Sequence, residues 1–486
     1  MSTPILPGYH PDPSICRVGD EYFLINSTFE YFPGVPVFSS RNLLDWQQIG
    51  HVLERESQLN VRTGIEGASG GIYAPTIRFH NGRFWMITTN LHDVRKGHLI
   101  VSAEHPSGPW SDPVYTPGLI GIDPDLAWDE EGKCYLTWSD VVRGGISQAQ
   151  INPQTGQVLS EPHEIWRGTG GAHPEGPHIY AREGWWYLLA AEGGTAAGHM
   201  VTVARARTIN GPYSANPANP ILTHRSTPHP VQATGHGDLI ELHDGSWAMV
   251  HLGTRPRGSF PKWHTNGRET FLVGIDWVDD WPVVVEDRFS ASIVDTSFED
   301  RFLEDRLHPR WISPGVAPAS FAAPGNEGLA LRAGRSPETA QAERLLAVRA
   351  VDLEWNVSVD GVGDLALVVR IDDLHQAILQ RVENTVTARV IIGPTDQVLA
   401  TRESVPEAES LTIRAVPFGG QPGERQGPDR VLLGVGRGDA FQELTSLDGR
   451  YLSTQTAGGF TGRVIGIEAL APGVLISRFE YNSLQD

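Results

Sequence analysis

Asn81-Gly82-Arg83-Phe84-Trp85-Met86-Ile87 runs from a glycine turn into an aromatic, apolar strand, and the first 250 residues repeat that phrase four more times. The other copies are Gly19-Asp-Glu-Tyr22-Phe-Leu-Ile25, Glu131-Gly-Lys-Cys134-Tyr-Leu136, Glu183-Gly-Trp-Trp186-Tyr-Leu-Leu189 and Asp244-Gly-Ser-Trp247-Ala-Met-Val250. The aligned positions Tyr22, Phe84, Cys134, Trp186 and Trp247 lie 62, 50, 52 and 61 residues apart, a period that suits a four-stranded propeller blade with its loops. Five repeats predict a five-bladed β-propeller. Eleven residues before the last four of these positions stand Tyr73, Asp123, Glu175 and His236, and ten before the first stands Asp12. Equivalent positions in a propeller point the same way, so three carboxylates, an aromatic and a histidine are expected to converge at one mouth of the central channel.

The phrase stops after Val250. A last strand and turn, Glu269 to Trp277 followed by Trp281-Pro-Val-Val-Val285, is expected to complete the fifth blade and close the ring with the N-terminal strand. Glu286 to Ser292, charged and poor in apolar residues, reads as a linker. Beyond it come period-two strands such as Leu365–Ile371, Ala377–Val382, Val386–Ile392 and Leu411–Val416, separated by Gly, Pro and Asp turns. Short connections of that kind predict a β-sandwich, with Gly419 to Arg430 as a solvated loop. The expectation is an all-β chain: a propeller over 1–290, a sandwich over 297–486, and few helices.

Composition agrees. At 486 residues the chain exceeds one ordinary domain, and 53 Gly and 35 Pro supply the turns such a fold needs. A formal charge of -20 with pI near 5.3 argues against nucleic acid and anionic membrane as partners, since phosphate binding needs clustered Lys and Arg. Cys16 and Cys134, in different repeats, imply no disulfide framework and read as buried small apolar residues. The first residues, Met1 to Gly8, show neither the basic nor the apolar region of a secretion signal, and no apolar run of membrane-spanning length follows. A cytoplasmic protein with a neutral ligand is the resulting expectation.

Three acids stand in similar settings. His10-Pro-Asp12-Pro13-Ser14 brackets a carboxylate between prolines and predicts that it is held on a stiff, extended segment; an Asp-Pro turn is the alternative there. Gly121-Ile-Asp123-Pro-Asp125-Leu126 and His173-Pro-Glu175-Gly-Pro-His178 repeat the pattern, with Asp125 out of register and read as a solvated or structural carboxylate. Such a cluster suits glycoside hydrolysis, in which a protonated carboxyl supplies the leaving group's proton and an ionised one activates water. A third carboxylate would raise the donor's proton affinity by repulsion. No resident cofactor is needed, although three carboxylates could alternatively hold a structural calcium on the axis. His236 fits a hydrogen-bond partner of a carboxylate, a ligand of a central ion or a satisfied core residue. Arg268, after Gly267, could reach the pocket or lie on the surface. Phe29, Tyr31, Phe32 and Tyr73 offer faces either to a sugar ring or to the core.

At these residues the chain resembles glycoside hydrolase family 43, in particular its two-domain exo-acting β-xylosidase/α-L-arabinofuranosidase type. The strings are Pro4 to Ile15, Ser27-Thr-Phe29-Glu-Tyr-Phe-Pro-Gly-Val-Pro36, Gly71-Ile-Tyr73-Ala-Pro75, Gly121 to Leu126, Glu175-Gly-Pro-His-Ile-Tyr180, Ala191-Glu-Gly-Gly-Thr195 and Gly267-Arg-Glu-Thr270. The resemblance implies hydrolysis with inversion, Asp12 as general base, Asp123 as the acid that tunes proton affinity and Glu175 as general acid. It also implies Arg268 and Phe29 as substrate contacts, His236 as an axial residue near Asp123, and an aromatic supplied by a sandwich loop, which Gly458-Gly-Phe460-Thr-Gly462 matches. Two positions depart from the family's usual strings: Tyr73 replaces a Trp, and the acid stands in Pro-Glu-Gly-Pro rather than Thr-Glu-Ala-Pro.

The resulting expectation is an inverting exo-glycosidase that releases terminal β-D-xylose or α-L-arabinofuranose from short oligosaccharides, with a homo-oligomer compatible with the reading. Two alternatives are an endo-acting arabinanase on the same fold, which needs an open groove, and a non-catalytic carbohydrate-binding propeller, which needs no matched acid and base.

Overall fold

A computed structural model describes residues 3–64, 67–334, 344–419 and 426–484. Each repeat builds one antiparallel sheet, and Tyr22, Phe84, Cys134, Trp186 and Trp247 all lie at or next to the start of its second strand. In chain order the sheets begin with Ser14–Val18, Thr76–His80, Ile122–Trp128, Glu175–Arg182 and Gln232–Glu241. The last ends with Trp281–Val285. Asn81 and Gly82 make the two-residue turn that pairs His80 with Arg83, both at positive φ (51° and 75°), the geometry that matches strand twist in a tight hairpin.

The second strands each carry an unbroken run of apolar and aromatic residues, such as Phe84–Ile87, because both of their faces are covered. Phe84 and Met86 pack against Phe23 and Ile25 of the first sheet, whereas Trp85 and Ile87 pack against Leu126, Cys134 and Leu136 of the third. Further clusters join the third sheet to the fourth and the fourth to the fifth, and Ala248 and Val250 of the fifth meet Tyr22 and Leu24 of the first. The sheets are therefore in contact in cyclic order, and Ser14–Val18 touches both Thr76–His80 and Gln232–Glu241. The chain start fastens this closure: Leu6 bridges Thr270, and the Ile5 amide donates to the Thr270 carbonyl at 2.9 Å.

Where the inner strands meet, the side chains are charged. The Arg78 guanidinium lies 2.9 Å from Asp125 and 2.8 Å from Asp238, both fully buried, and Ser14 and Tyr180 donate to Asp238. Asp125 also accepts the Ile179 amide at 2.8 Å. Its structural reading stands; the solvated one does not.

Residues 298–484 form two further sheets. An eight-stranded one includes Trp355–Val362, Leu411–Val416 and Val474–Ser483; a six-stranded one includes Leu346–Arg349, Leu365–Asp372, His375–Val382 and Val464–Ala469. They share one apolar core around Leu367, Val369, Val357, Ile413 and Phe479. Leu365–Asp372 is buried throughout because its second face, with Ala366 and Val368, packs on Tyr9, Phe29 and Tyr31. The only α-helix among the described residues is Thr454–Ala457, and no helix is long and apolar enough to cross a membrane. Cys16 and Cys134 are buried free thiols.

One loop expectation needs correction. Of Gly419 to Arg430, residues 420–425 lie outside the described residues, and the remainder is not solvated at its C-terminal end. Asp429 is fully buried, paired with Arg463 at 2.7 Å and Arg257 at 3.1 Å, because the segment closes against the Ser259 turn.

Candidate active site

Asp12, Asp123 and His236, chosen as equivalent positions of the repeat, share one unusual backbone state: φ is 52°, 54° and 49°. Non-glycine residues seldom occupy this left-handed region, and such strain gathers at functional sites. The extended segment expected around Asp12 is thus replaced by a left-handed residue just before the strand. At Asp123, Glu175 and His236 the strand register slips between Ile122 and Asp125, Glu175 and His178, and Gly235 and Asp238. A bulge re-aims one side chain relative to the next. Asp123 and His236, inside the slip, and Glu175, at its start, turn to the site, and the residue that ends it, Asp125, His178 or Asp238, turns to the Arg78 network.

Asp12 is clamped. Arg268 Nη1 donates to its Oδ1 at 2.9 Å, Nη2 approaches Oδ2 at 3.4 Å, and Ser27 Oγ donates to Oδ2. Arg268 is itself buried and donates to Thr195 Oγ1 at 3.0 Å. Gly267, at φ 73°, lets this arginine's turn close on residues 461–462; a Cβ there would stand 2.9 Å from the Gly462 nitrogen. Asp123 accepts the Gly176 amide at 3.1 Å. His236 lies 3.8 Å from Asp12, and its ring covers Gly176, where a Cβ would stand 3.1 Å away. Gly176, whose amide Asp123 accepts, therefore lies against the His236 ring. Burial drives the His236 ring down to about 4, so it is neutral at ordinary pH.

The acids repel one another. Burial first, then the charge of Asp12, pushes Glu175 up to about 7, against a smaller opposing pull from Arg268. Burial, Glu175 and Asp12 push Asp123 well above the usual carboxylate range. Asp123 and Glu175 thus titrate as a pair that keeps a proton near neutrality, beside an Asp12 matched to a guanidinium. The charge of Glu175 falls on Asp123, whereas the carboxylate charge that raises Glu175 is that of Asp12.

The aromatic residues form a wall in two layers. Phe460 stacks on Phe29 at 5.8 Å, Tyr73 meets both rings edge-on at 6.1 and 5.2 Å, and Arg268 lies 5.2 Å above Phe460. Ser69 Oγ receives the Phe460 amide at 2.8 Å. Phe29 is only 1% exposed, so it backs Tyr73 and Phe460 and presents no open face of its own. Phe460 and Arg268 border a cavity of about 720 Å³ between residues 195–268 and 454–460, with Thr195, His264 and Gln455 also in its lining.

Sequence reasoning missed Ser27, Thr195, Arg78 and Asp238. The signal for Asp238 and Asp125 was present, since each stands two residues after an axial position. Arg78 has no such mark, being five residues beyond Tyr73.

An all-β frame that sets a clamped carboxylate against a proton-sharing pair suits acid–base hydrolysis. Residues 1–282 match glycosyl hydrolases family 43, and the chain belongs to that family. It is similar to a non-reducing end α-L-arabinofuranosidase of Bacteroides ovatus, 44% identical over 287 residues that cover 58% of this chain and 53% of the relative. A xylosidase/arabinosidase of Butyrivibrio fibrisolvens is 40% identical over 339 residues, 63% of this chain and 64% of that one. The match thus spans roughly half to two thirds of these curated relatives' length. Among solved structures, Bacteroides ovatus xyloglucan PUL GH43B superposes over 100% of both chains with a TM-score of 0.88 and 30% identity. A xylan β-1,4-xylosidase from Bacillus halodurans superposes over 99% of this chain and 100% of its own with a TM-score of 0.85 and 28% identity.

Proposed function

We propose that the chain is an inverting exo-glycosidase that removes terminal β-D-xylose or α-L-arabinofuranose from short xylo- or arabino-oligosaccharides, in the cytoplasm. On this reading residues 1–290 are a five-bladed propeller whose blades are the five sheets in cyclic contact, and 297–486 are a β-sandwich that supplies one wall of the pocket. Asp12, oriented by Arg268 and Ser27, takes the proton of the attacking water. Glu175 protonates the leaving oxygen, and Asp123, which titrates with it as a pair, helps keep a proton in the site. The observation that carries this reading is the Glu175 carboxyl at about 7 beside a guanidinium-matched Asp12, two acids driven to opposite roles by their surroundings. Phe460, bound to Ser69 and stacked on Phe29, supports a closed pocket and so an exo-acting enzyme over an endo-acting one. The Arg78 guanidinium supplies the positive charge that an axial calcium would otherwise bring to Asp125 and Asp238, which favours the cofactor-free reading.

Rates on nitrophenyl β-xyloside and nitrophenyl α-arabinofuranoside, with proton NMR of the first-formed anomer, test the proposal. Retention of configuration, or no turnover of either glycoside, would refute it.

A further inference from the structure

Beside the cavity, which His229 lines, three side chains outside the acid cluster converge. His224 Nε2 lies 2.8 Å from Glu286 Oε2, and the His224 and His229 rings are 3.8 Å apart, centroid to centroid. The donor atoms of His224, His229 and Glu286 all fall within 4.8 Å of one another. The rings are oriented from behind: Nδ1 of His224 lies 2.9 Å and Nδ1 of His229 3.1 Å from the single Val231 carbonyl, and His229 Nδ1 also faces the Val231 amide at 3.2 Å. A carbonyl on one ring nitrogen is the usual arrangement for an imidazole that offers its other nitrogen to a metal. His224 is buried, His229 half-buried and Glu286 exposed, so the group is open to water on one side.

We propose that His224, His229 and Glu286 form a zinc-class divalent cation site that ties the 224–233 segment, one wall of the cavity, to the chain leaving the fifth sheet. Two imidazoles and a carboxylate with an open fourth position match zinc, not calcium, which takes six to eight oxygens. Donors around a tetrahedral zinc at ~2.0–2.1 Å stand about 3.3 Å apart; His224 Nε2 and Glu286 Oε2, at 2.8 Å, would open slightly, and the wider separations, all within 4.8 Å, would contract by side-chain rotation. Ser226, Thr227, His229 and Gln232 line the cavity, and Glu286 follows Trp281–Val285 directly. Occupancy would therefore hold that wall in place, whichever sugar the cavity takes.

Equilibrium dialysis of the metal-stripped full chain against zinc, with cobalt(II) absorption as a second readout, tests the site. One zinc per chain is expected, with a tetrahedral cobalt spectrum and a melting temperature raised by zinc. In His229→Gln and in Glu286→Gln zinc binding should weaken by more than the roughly 10–100-fold that loss of an outer partner costs. Glu286 is half exposed, so its variant should melt like the metal-free wild type, which separates lost binding from lost folding. Substoichiometric zinc uptake, binding unchanged in both variants, or calcium taken up in preference to zinc would each overturn the proposal.

Discussion

The two halves of the molecule bury opposite things at their centres. Between the sheets of residues 298–484 lies a continuous apolar core, from Leu367 and Val369 on one sheet to Ile413 and Phe479 on the other. In the first half the apolar clusters lie between neighbouring sheets, and the place where the inner strands meet is filled by Arg78, Asp125 and Asp238, with the electrostatically linked Asp12, Asp123 and Glu175 at or near the starts of three of those strands. Five sheets in cyclic contact satisfy the hydrophobic requirement at their flanks, which frees the centre for charge. Two face-to-face sheets have only the space between them and must fill it with hydrocarbon. On the proposed function, that difference explains why the chemistry would sit in one half while the other contributes a loop.

The sharpest way to break this contrast is at the mouth. Asp12→Ala should lower kcat by roughly 10²–10⁴-fold or more on both natural disaccharides and nitrophenyl glycosides. Glu175→Ala should lose far more on disaccharides, because nitrophenolate hardly needs a proton. Equal losses across both substrates would mean that the two roles are misassigned.

Next in size is the axis itself. Arg78→Met strands Asp125 and Asp238 as buried, unmatched carboxylates and should destabilise the chain by about 3–5 kcal/mol. Leu367→Ala in the other half leaves a cavity and should cost about 2–5 kcal/mol. The two should separate by pH in denaturant titrations. Although burial raises it, Arg78 holds Asp238 well below its usual range; removing Arg78 should make stability recover as the solution becomes more acid and the stranded acids protonate, whereas Leu367→Ala should show no such recovery. Similar pH profiles would dissolve the distinction between a charged and an apolar centre.

A smaller effect probes the seam. Phe460→Ala should raise the Michaelis constant by the equivalent of about 1–3 kcal/mol if the ring faces the sugar. An earlier melt with binding unchanged would make Phe460 a packing residue between the halves.

The smallest concerns proton linkage. Glu175 sits at about 7, above its ordinary 4.5, so the stability tied to its neutral form is complete below about 4.5 and is lost as pH rises through 7. Glu175→Gln stays neutral and should melt progressively higher than the wild type between pH 5 and pH 8. A constant difference across that interval would place the raised carboxyl elsewhere.

Much of this could be read before any fold was known. The repeat period located every second strand, and counting back from it picked out Asp12, Asp123 and His236, which share a left-handed backbone that Tyr73 and Glu175, at the equivalent positions, do not. The strands Leu365–Ile371 and Leu411–Val416 were likewise legible as short β-rich runs between turns, although the first is buried on both faces and does not alternate. Other residues in the motifs have duties that local pattern cannot express. Glu30 in the Ser27–Pro36 string pairs with Arg370, 340 residues away, and both are fully buried. Glu269, next to Arg268, accepts the Gly8 amide and both arms of Arg255.

What the sequence determined alone is periodic: the number of sheets, the start of each and the residue types placed at their inner ends. What only the tertiary structure decided is relational: that Arg78 neutralises Asp125 and Asp238, that Arg268 fastens Asp12, that Phe29 lies behind Phe460, and that His224, His229 and Glu286 meet. Periodicity follows from backbone geometry, which repeats along the chain, whereas an ion pair or a ring contact depends on a distance across space that no spacing in sequence encodes.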